Sequence, residues 1–157
     1  MHMHKFEKIW LIFGVGSLIL FLTTIGVSAF YMGHHPPSSH TTINPEKVDV
    51  TPPFNNPGVK KLNDNEYEVV LVASAFSYVP NQIQVPTNAK IHFKVATKDV
   101  IHGFEIAGTN VNMMVEPGYV SEFTQTFRKP GEFLILCNEY CGIGHHMMTS
   151  KIEVVEQ

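Results

Sequence analysis

The sequence predicts an all-β sandwich or barrel preceded by a single N-terminal transmembrane helix. Three observations carry this. An uncharged apolar run extends from Ile9 to Met32. Beyond residue 58, short stretches alternate apolar and polar residues with the period of a strand. Pro-Gly pairs punctuate those stretches, and no amphipathic helical segment intervenes. At 157 residues the chain has room for one domain plus an extra segment. A β domain of about 100 residues buries roughly 65% of its unfolded surface, enough to fold without cross-links.

As a helix, Ile9 to Met32 is about 36 Å long at roughly 1.5 Å per residue, sufficient to cross a hydrocarbon core of about 30 Å with some tilt. Lys5 and Lys8 precede it, Glu7 offsets one of them, and no Lys or Arg follows before Lys47. The positive-inside bias therefore places residues 1–8 in the cytoplasm and the rest of the chain outside a cell membrane crossed once. Trp10 and Tyr31 stand near the two ends, where amphipathic aromatics favour the interface. Val27-Ser28-Ala29 resembles the cleavage site of a signal peptide, but the apolar run exceeds the usual core of about 7–15 residues. Both readings export the domain.

Residues 33–57 change character, with Pro36, Pro37, Pro45, Pro52, Pro53 and Pro57 among Ser and Thr. Proline fixes φ and removes backbone donors, so the segment reads as a semi-rigid spacer. Its His34, His35 and His40 read as solvent-facing.

Residues 58–157 form the outer domain. The clearest strand is Lys90 to Val95, where Ile91, Phe93 and Val95 alternate with Lys90, His92 and Lys94. Similar patterns cover Glu66 to Ala73, Tyr119 to Phe127, Glu132 to Leu136 and Lys151 to Val155, with a shorter one at Ile83 to Val85. Pro117-Gly118 and Pro130-Gly131 match type II turns, the second as a tight connection between two strands.

The formal charge of -3, with no basic run, excludes a nucleic-acid surface. Only two cysteines occur, so no disulfide framework exists elsewhere. Both lie in one loop, Cys137-Asn-Glu139-Tyr-Cys141-Gly-Ile-Gly-His145-His-Met147-Met148, between the last two strands. Two thiols, an imidazole and a thioether are donors that select copper, zinc or iron–sulfur centres over magnesium or calcium. A mononuclear blue-copper site uses one Cys, two His and an axial Met, which leaves Cys141 over and one His to be found. Two thiolates four positions apart can instead bridge two copper ions. A disulfide between Cys137 and Cys141, or structural zinc bound by both with His145 and a second histidine, are the alternatives. The disulfide leaves His145 and Met148 unexplained, and zinc leaves Met148 idle.

The stretches Asp99-Val-Ile-His102-Gly-Phe104 and Lys129-Pro-Gly-Glu-Phe133, with the ligand loop and its final strand, resemble subunit II of the haem-copper cytochrome c oxidases. The similarity runs from about Glu66 to the C-terminus. It implies a cupredoxin-like Greek-key domain carrying a dinuclear copper A centre. Cys137 and Cys141 then bridge two coppers, with His102 and His145 as terminal ligands. Met148 serves one copper, and the backbone carbonyl of Glu139 the other. The side chain of Glu139 matches a position that contributes to a magnesium site in longer oxidases. One helix, and no tryptophan but Trp10, make the chain similar to the short B-type subunit II. Quinol-oxidising relatives lack the copper ligands, so retention of both cysteines implies cytochrome c as donor and a haem-bearing subunit I as acceptor. Without a tryptophan in the outer domain, electron entry is expected through Phe76 and Tyr78 or an apolar rim at Met113, Met114 and Met147. From Thr41 onward nine basic and thirteen acidic residues bias the domain mildly toward a basic partner. A membrane-anchored copper-delivery protein is the competing function, although bridging thiolates anchored in a sheet favour retention over exchange. A nitrous oxide reductase copper domain would bring a catalytic domain, for which this chain has no room.

Overall fold

The computed structural model describes residues 3–32 and 38–156, in two units divided after Pro36. The first is one helix, α1 (Lys5–Gly26), continued by a π-helical turn over Val27–Tyr31. Its N-terminus is closed reciprocally. His4 Nδ1 accepts from the Phe6 amide at 3.4 Å and Glu7 accepts from the His4 amide at 3.1 Å. The hydroxyls within the apolar stretch bond to the helix's own carbonyls, Ser17 to Gly14, Thr23 to Ile19 and Thr24 to Leu20. That leaves none of the three in need of water, as a hydrocarbon environment requires.

The second unit is a two-sheet sandwich. One sheet is built from β1 (Ser38–Thr42), β2 (Gly58–Asn63), β3 (Glu66–Ser74), β4 (Ser77–Val79), β6 (Lys90–Thr97) and β9 (Tyr119–Thr126). Its order is β1-β9-β6-β3-β2, with β4 hairpinned onto β3. The other contains β5 (Gln82–Pro86), β7 (His102–Ile106), β8 (Asn112–Val115), β10 (Gly131–Leu136) and β11 (Thr149–Val155), in the order β5-β11-β10-β7-β8. All six strand segments expected from alternation are present.

Strand β3 shows how the period of two is used. Val69, Leu71 and Ala73 face the inter-sheet core with Ile91, Phe93, Phe104, Ile135 and Ile152. The intervening Val70 and Val72 face the opposite way, into a second cluster with Ile43, Val48, Phe54, Ala96 and Val120. Residues buried on both faces read as a continuous apolar run, which is why β3 lacks strict alternation.

The second cluster corrects the spacer expected over 33–57. Residues 33–37, including His34 and His35, lie outside the described residues. From Ser38 onward the chain belongs to the domain: Thr41 and Thr42 pair with Val120 and Tyr119 of β9. A 3-10 helix over Pro45–Val50, capped by the Asn44 side chain on the Glu46 amide, then seats Val48 against the sheet. The prolines stop helix and central strand but not packing. Phe54→Ala is therefore expected to cost about 3–5 kcal/mol in denaturant unfolding, whereas a residue in a free spacer would cost nothing.

The two Pro-Gly pairs differ. Pro117-Gly118 forms the expected turn, with Tyr119 N–H bonded to Glu116 O at 3.2 Å and Gly118 at φ 96°. Gly131 sits at φ 148°, away from the roughly +80° of a type II turn. The short connection over 127–130 crosses from one sheet to the other rather than closing a hairpin.

Candidate metal centre

The ligand loop is pinned at both ends. β10 and β11 are paired in register up to Leu136 and Thr149, and one step further Cys137 N–H donates to Met148 O at 3.2 Å. Between them the chain turns back through Gly142 and a 3-10 turn over His145–Met147, with His145 N–H on Gly142 O at 3.0 Å. That fold-back returns Cys141, His145 and Met148 to Cys137.

His102 opens β7, which runs antiparallel to β10 with Glu105 opposite Leu136. Extending that register brings Gly103 against Asn138. The fit depends on glycine, because a Cβ there would fall 1.9 Å from Asn138 Oδ1 and 2.7 Å from Asn138 N. The close approach lets Gly103 N–H donate to Cys137 Sγ at 3.4 Å and sets His102 Nδ1 4.0 Å from the same sulfur.

Asp99 orients the ring. Burial acts to raise its carboxyl pKa. Hydrogen bonds from His102 Nε2 (2.8 Å), the Ala75 amide (2.7 Å), the Val100 amide (2.8 Å) and the Thr97 hydroxyl (3.0 Å) outweigh burial and hold it at about 2. An ionised carboxylate only accepts, so His102 Nε2 carries a proton toward Asp99, and Nδ1 is the ring nitrogen turned toward Cys137. The Asp-x-x-His spacing is the sequence signal for this partner, and sequence reasoning missed it.

The donors divide into two sets around a pair of free thiols 3.8 Å apart. Cys137 Sγ lies 4.0 Å from His102 Nδ1 and 3.1 Å from the Glu139 carbonyl oxygen. Cys141 Sγ lies 3.6 Å from His145 Nδ1 and 3.7 Å from Met148 Sδ. Each thiol thus has one imidazole and one weaker donor near it, a soft donor set of the kind that selects copper over magnesium or calcium. Among the described residues, His102, Cys137 and Cys141 form the His, Cys or carboxylate group whose ligand atoms are close enough together to hold a metal, within 4.8 Å. The expected disulfide alternative is not formed. Burial, and then the neighbouring Cys137 thiol, push the Cys141 thiol up to about 11, so metal binding must displace its proton.

Burial grades across the site. His102 is 0% exposed and Met148 1%, while His145 is half-buried, with its ring 5.8 Å from that of Tyr140. A profile described as cytochrome c oxidase subunit II, periplasmic domain, matches residues 61–155. The chain belongs to the cytochrome c oxidase subunit II family. It is 41% identical over 155 residues to a cytochrome c oxidase subunit 2 of Thermus thermophilus, covering 96% of this chain and 92% of that one. Another subunit 2 from Thermus thermophilus is 46% identical over 116 residues, or 73% of this chain and 86% of the relative. A chain of a haem-copper terminal oxidase dimer solved by cryo-electron microscopy superposes with a TM-score of 0.79 at 31% identity, over 96% of this chain and all of that one.

As a subunit II of a haem-copper terminal oxidase, the protein is part of an oxidoreductase complex with a subunit I. The matched periplasmic domain follows an apolar helix of spanning length, the arrangement of a membrane-anchored subunit. The residues expected for electron entry separate. Tyr78 and Met113 are each 1% exposed and packed in the core, which corrects their expected surface role. Phe76 is half-buried, and Met114 and Met147 are exposed. Sequence reasoning missed Tyr140 and Ile143, two exposed apolar side chains of the ligand loop itself, 75% and 89% accessible.

Proposed function

We propose that His102, Cys137, the Glu139 carbonyl, Cys141, His145 and Met148 hold two copper ions that share one centre, fed by cytochrome c at the outer face and emptied into haem of subunit I. The observation that carries this reading is the duplicated donor set, one imidazole and one weaker donor on each thiol. Bound copper supplies a one-electron carrier that cycles without breaking bonds. This chain's residues supply the rest. Cys137 and Met148 are tied into adjacent strands, so the sulfur donors move little when the charge at the centre changes. Asp99 keeps His102 Nδ1 aimed inward. The buried His102 side is closed to water, and His145 is the most exposed of the side-chain ligands.

The rim around His145 is where a donor docks. Tyr140, Ile143 and Met147 are exposed apolar residues of its loop, with the Tyr140 ring 5.8 Å from that of His145, and Met114 lies opposite Gly103 in the β7–β8 pair. Lys5 and Lys8 hold the N-terminus of α1 in the cytoplasm, so a single span leaves the domain on the outer face.

Metal analysis and electron spin resonance of the copper-loaded full chain test the centre. Two coppers per chain sharing one unpaired electron are expected; a single isolated copper, or preferential retention of zinc, overturns the reading. Truncating Ile143 and Met147 to alanine is expected to slow cytochrome c oxidation at full copper content. Unchanged kinetics remove the rim from the entry route. A rate that falls with ionic strength identifies steering by the acidic domain.

A further inference from the structure

One element that contributes no ligand touches both halves of the centre. The β3–β4 hairpin turns at Ala75 and Phe76, with Ser74 paired to Ser77 and Ala73 to Tyr78. Three of its residues reach the site separately. The Ala75 amide donates to Asp99 Oδ2 at 2.7 Å, and the other oxygen of that carboxylate holds His102 Nε2. The Phe76 ring lies against the ligand loop. A Cβ on Gly144 would fall 2.4 Å from ring atom Cδ2, and one on Gly142 3.1 Å from Cε1. The ring is therefore seated in a cradle that exists because those two loop positions lack side chains. The Tyr78 hydroxyl donates a short hydrogen bond to the Gly103 carbonyl, and Gly103 N–H in turn donates to Cys137 Sγ.

Packing alone does not call for the Tyr78 hydroxyl. Its ring meets Phe104 edge-on at 5.6 Å, a contact that phenylalanine would make equally well. Placing a hydroxyl there carries a desolvation cost that only its hydrogen bonding offsets. The hydroxyl thus holds the backbone of the residue after His102, whose own amide donates to the ligand sulfur.

We propose that the β3–β4 hairpin is the positioning element of the centre: Tyr78 sets the His102–Cys137 half through Gly103, and Phe76 sets the His145–Cys141 half through Gly142 and Gly144. The proposal rests on the two-copper reading above. His102 and the ligand loop come from different segments of the chain. A third element that contacts both fixes their spacing independently of any metal, and such support determines how accurately ligands are held.

The test compares the copper-loaded full chain as wild type, Tyr78→Phe and Phe76→Leu. The readouts are copper content, hyperfine couplings of the two histidine nitrogens, reduction potential, and the rate of copper loss to a chelator. Tyr78→Phe is expected to shift the coupling of one histidine and Phe76→Leu that of the other. Each shift comes with a changed potential and copper loss severalfold faster, from a starting content of two. Unchanged couplings and potential in both variants overturn the proposal even where melting temperature falls, because a purely structural role lowers stability alone. A change at the same histidine in both also overturns it. If Tyr78→Phe does not fold, Phe76→Leu decides by the same readouts. A wild type that binds other than two coppers fails the underlying reading, and the proposal with it; two coppers with unmoved couplings fails the proposal alone.

Discussion

On the proposed two-copper reading, Cys137→Ser is expected to reduce copper from two per chain to one or none and to abolish oxidation of the proposed cytochrome c donor by the assembled oxidase, while the domain stays folded. The sulfur of Cys137 is the atom on which the His102 half converges: His102 Nδ1, the Gly103 amide, the Glu139 carbonyl and Cys141 Sγ all face it. A serine hydroxyl is harder, and protonated at neutral pH, so it neither bridges nor attracts a soft ion. The loss should exceed the roughly 10–100-fold typical of removing an outer partner of a metal ligand. Cysteine and serine are close in size, so the buried position is filled and unfolding is not the cause. Metal analysis and the spin resonance spectrum of the variant check the outcome. Two retained coppers with an undivided shared electron would show that Cys137 is not a bridge.

The parts of this fold that are legible in the sequence are those where one face of a strand is buried and the other wet. Lys90 to Val95 is the plain example, with Ile91, Phe93 and Val95 inside. The strands that alternation does not reveal break that condition. β2 is an edge strand whose side chains are mostly exposed. In β7, residues on both faces are buried and one is glycine. β4 and β8 have only three and four residues, too few to display a period. β1 is the polar run Ser-Ser-His-Thr-Thr, and what recruits it is the free edge of β9, a property of the assembled sheet.

The site divides in the same way. The loop from Cys137 to Met148 is local, so its donor spacing can be read directly. His102 comes only through the resemblance, because a strand register brings it from 35 positions upstream. Tyr78 and Met113 read as surface groups because nothing in a short stretch marks which side of a three- or four-residue strand faces inward. In the folded chain their neighbours do mark it: Ser77 and Val79 are exposed around Tyr78, and Asn112 and Met114 around Met113. The hairpin contacts of Ala75 and Phe76 join segments 24 or more residues apart, and only the folded chain displays them.

Gly103→Ala is expected to weaken the centre almost as severely as loss of a ligand, although Gly103 coordinates nothing. The new methyl would stand 1.9 Å from Asn138 Oδ1, 2.7 Å from Asn138 N and 2.9 Å from Glu139 N. On a free surface the amide oxygen would swing aside, but Asn138 Nδ2 is tied to Glu105 Oε2 at 3.1 Å and Asn112 Oδ1 at 3.0 Å. The two backbone nitrogens have less freedom, since moving them drags Cys137 on one side and the Glu139 carbonyl on the other. Overpacking of this kind costs about 1–3 kcal/mol, and contact with backbone places it at the upper end, a fall of several degrees in Tm. The Gly103 amide also leaves Cys137 Sγ, so copper should be lost to a chelator far faster than from wild type. The double variant Gly103→Ala with Asn138→Ala separates the two contacts: removing the Asn138 amide relieves the 1.9 Å clash and leaves both backbone clashes in place. Little recovery of copper retention is expected. Full recovery would locate the constraint in the Asn138 side chain and not in the backbone approach of β7 to the ligand loop.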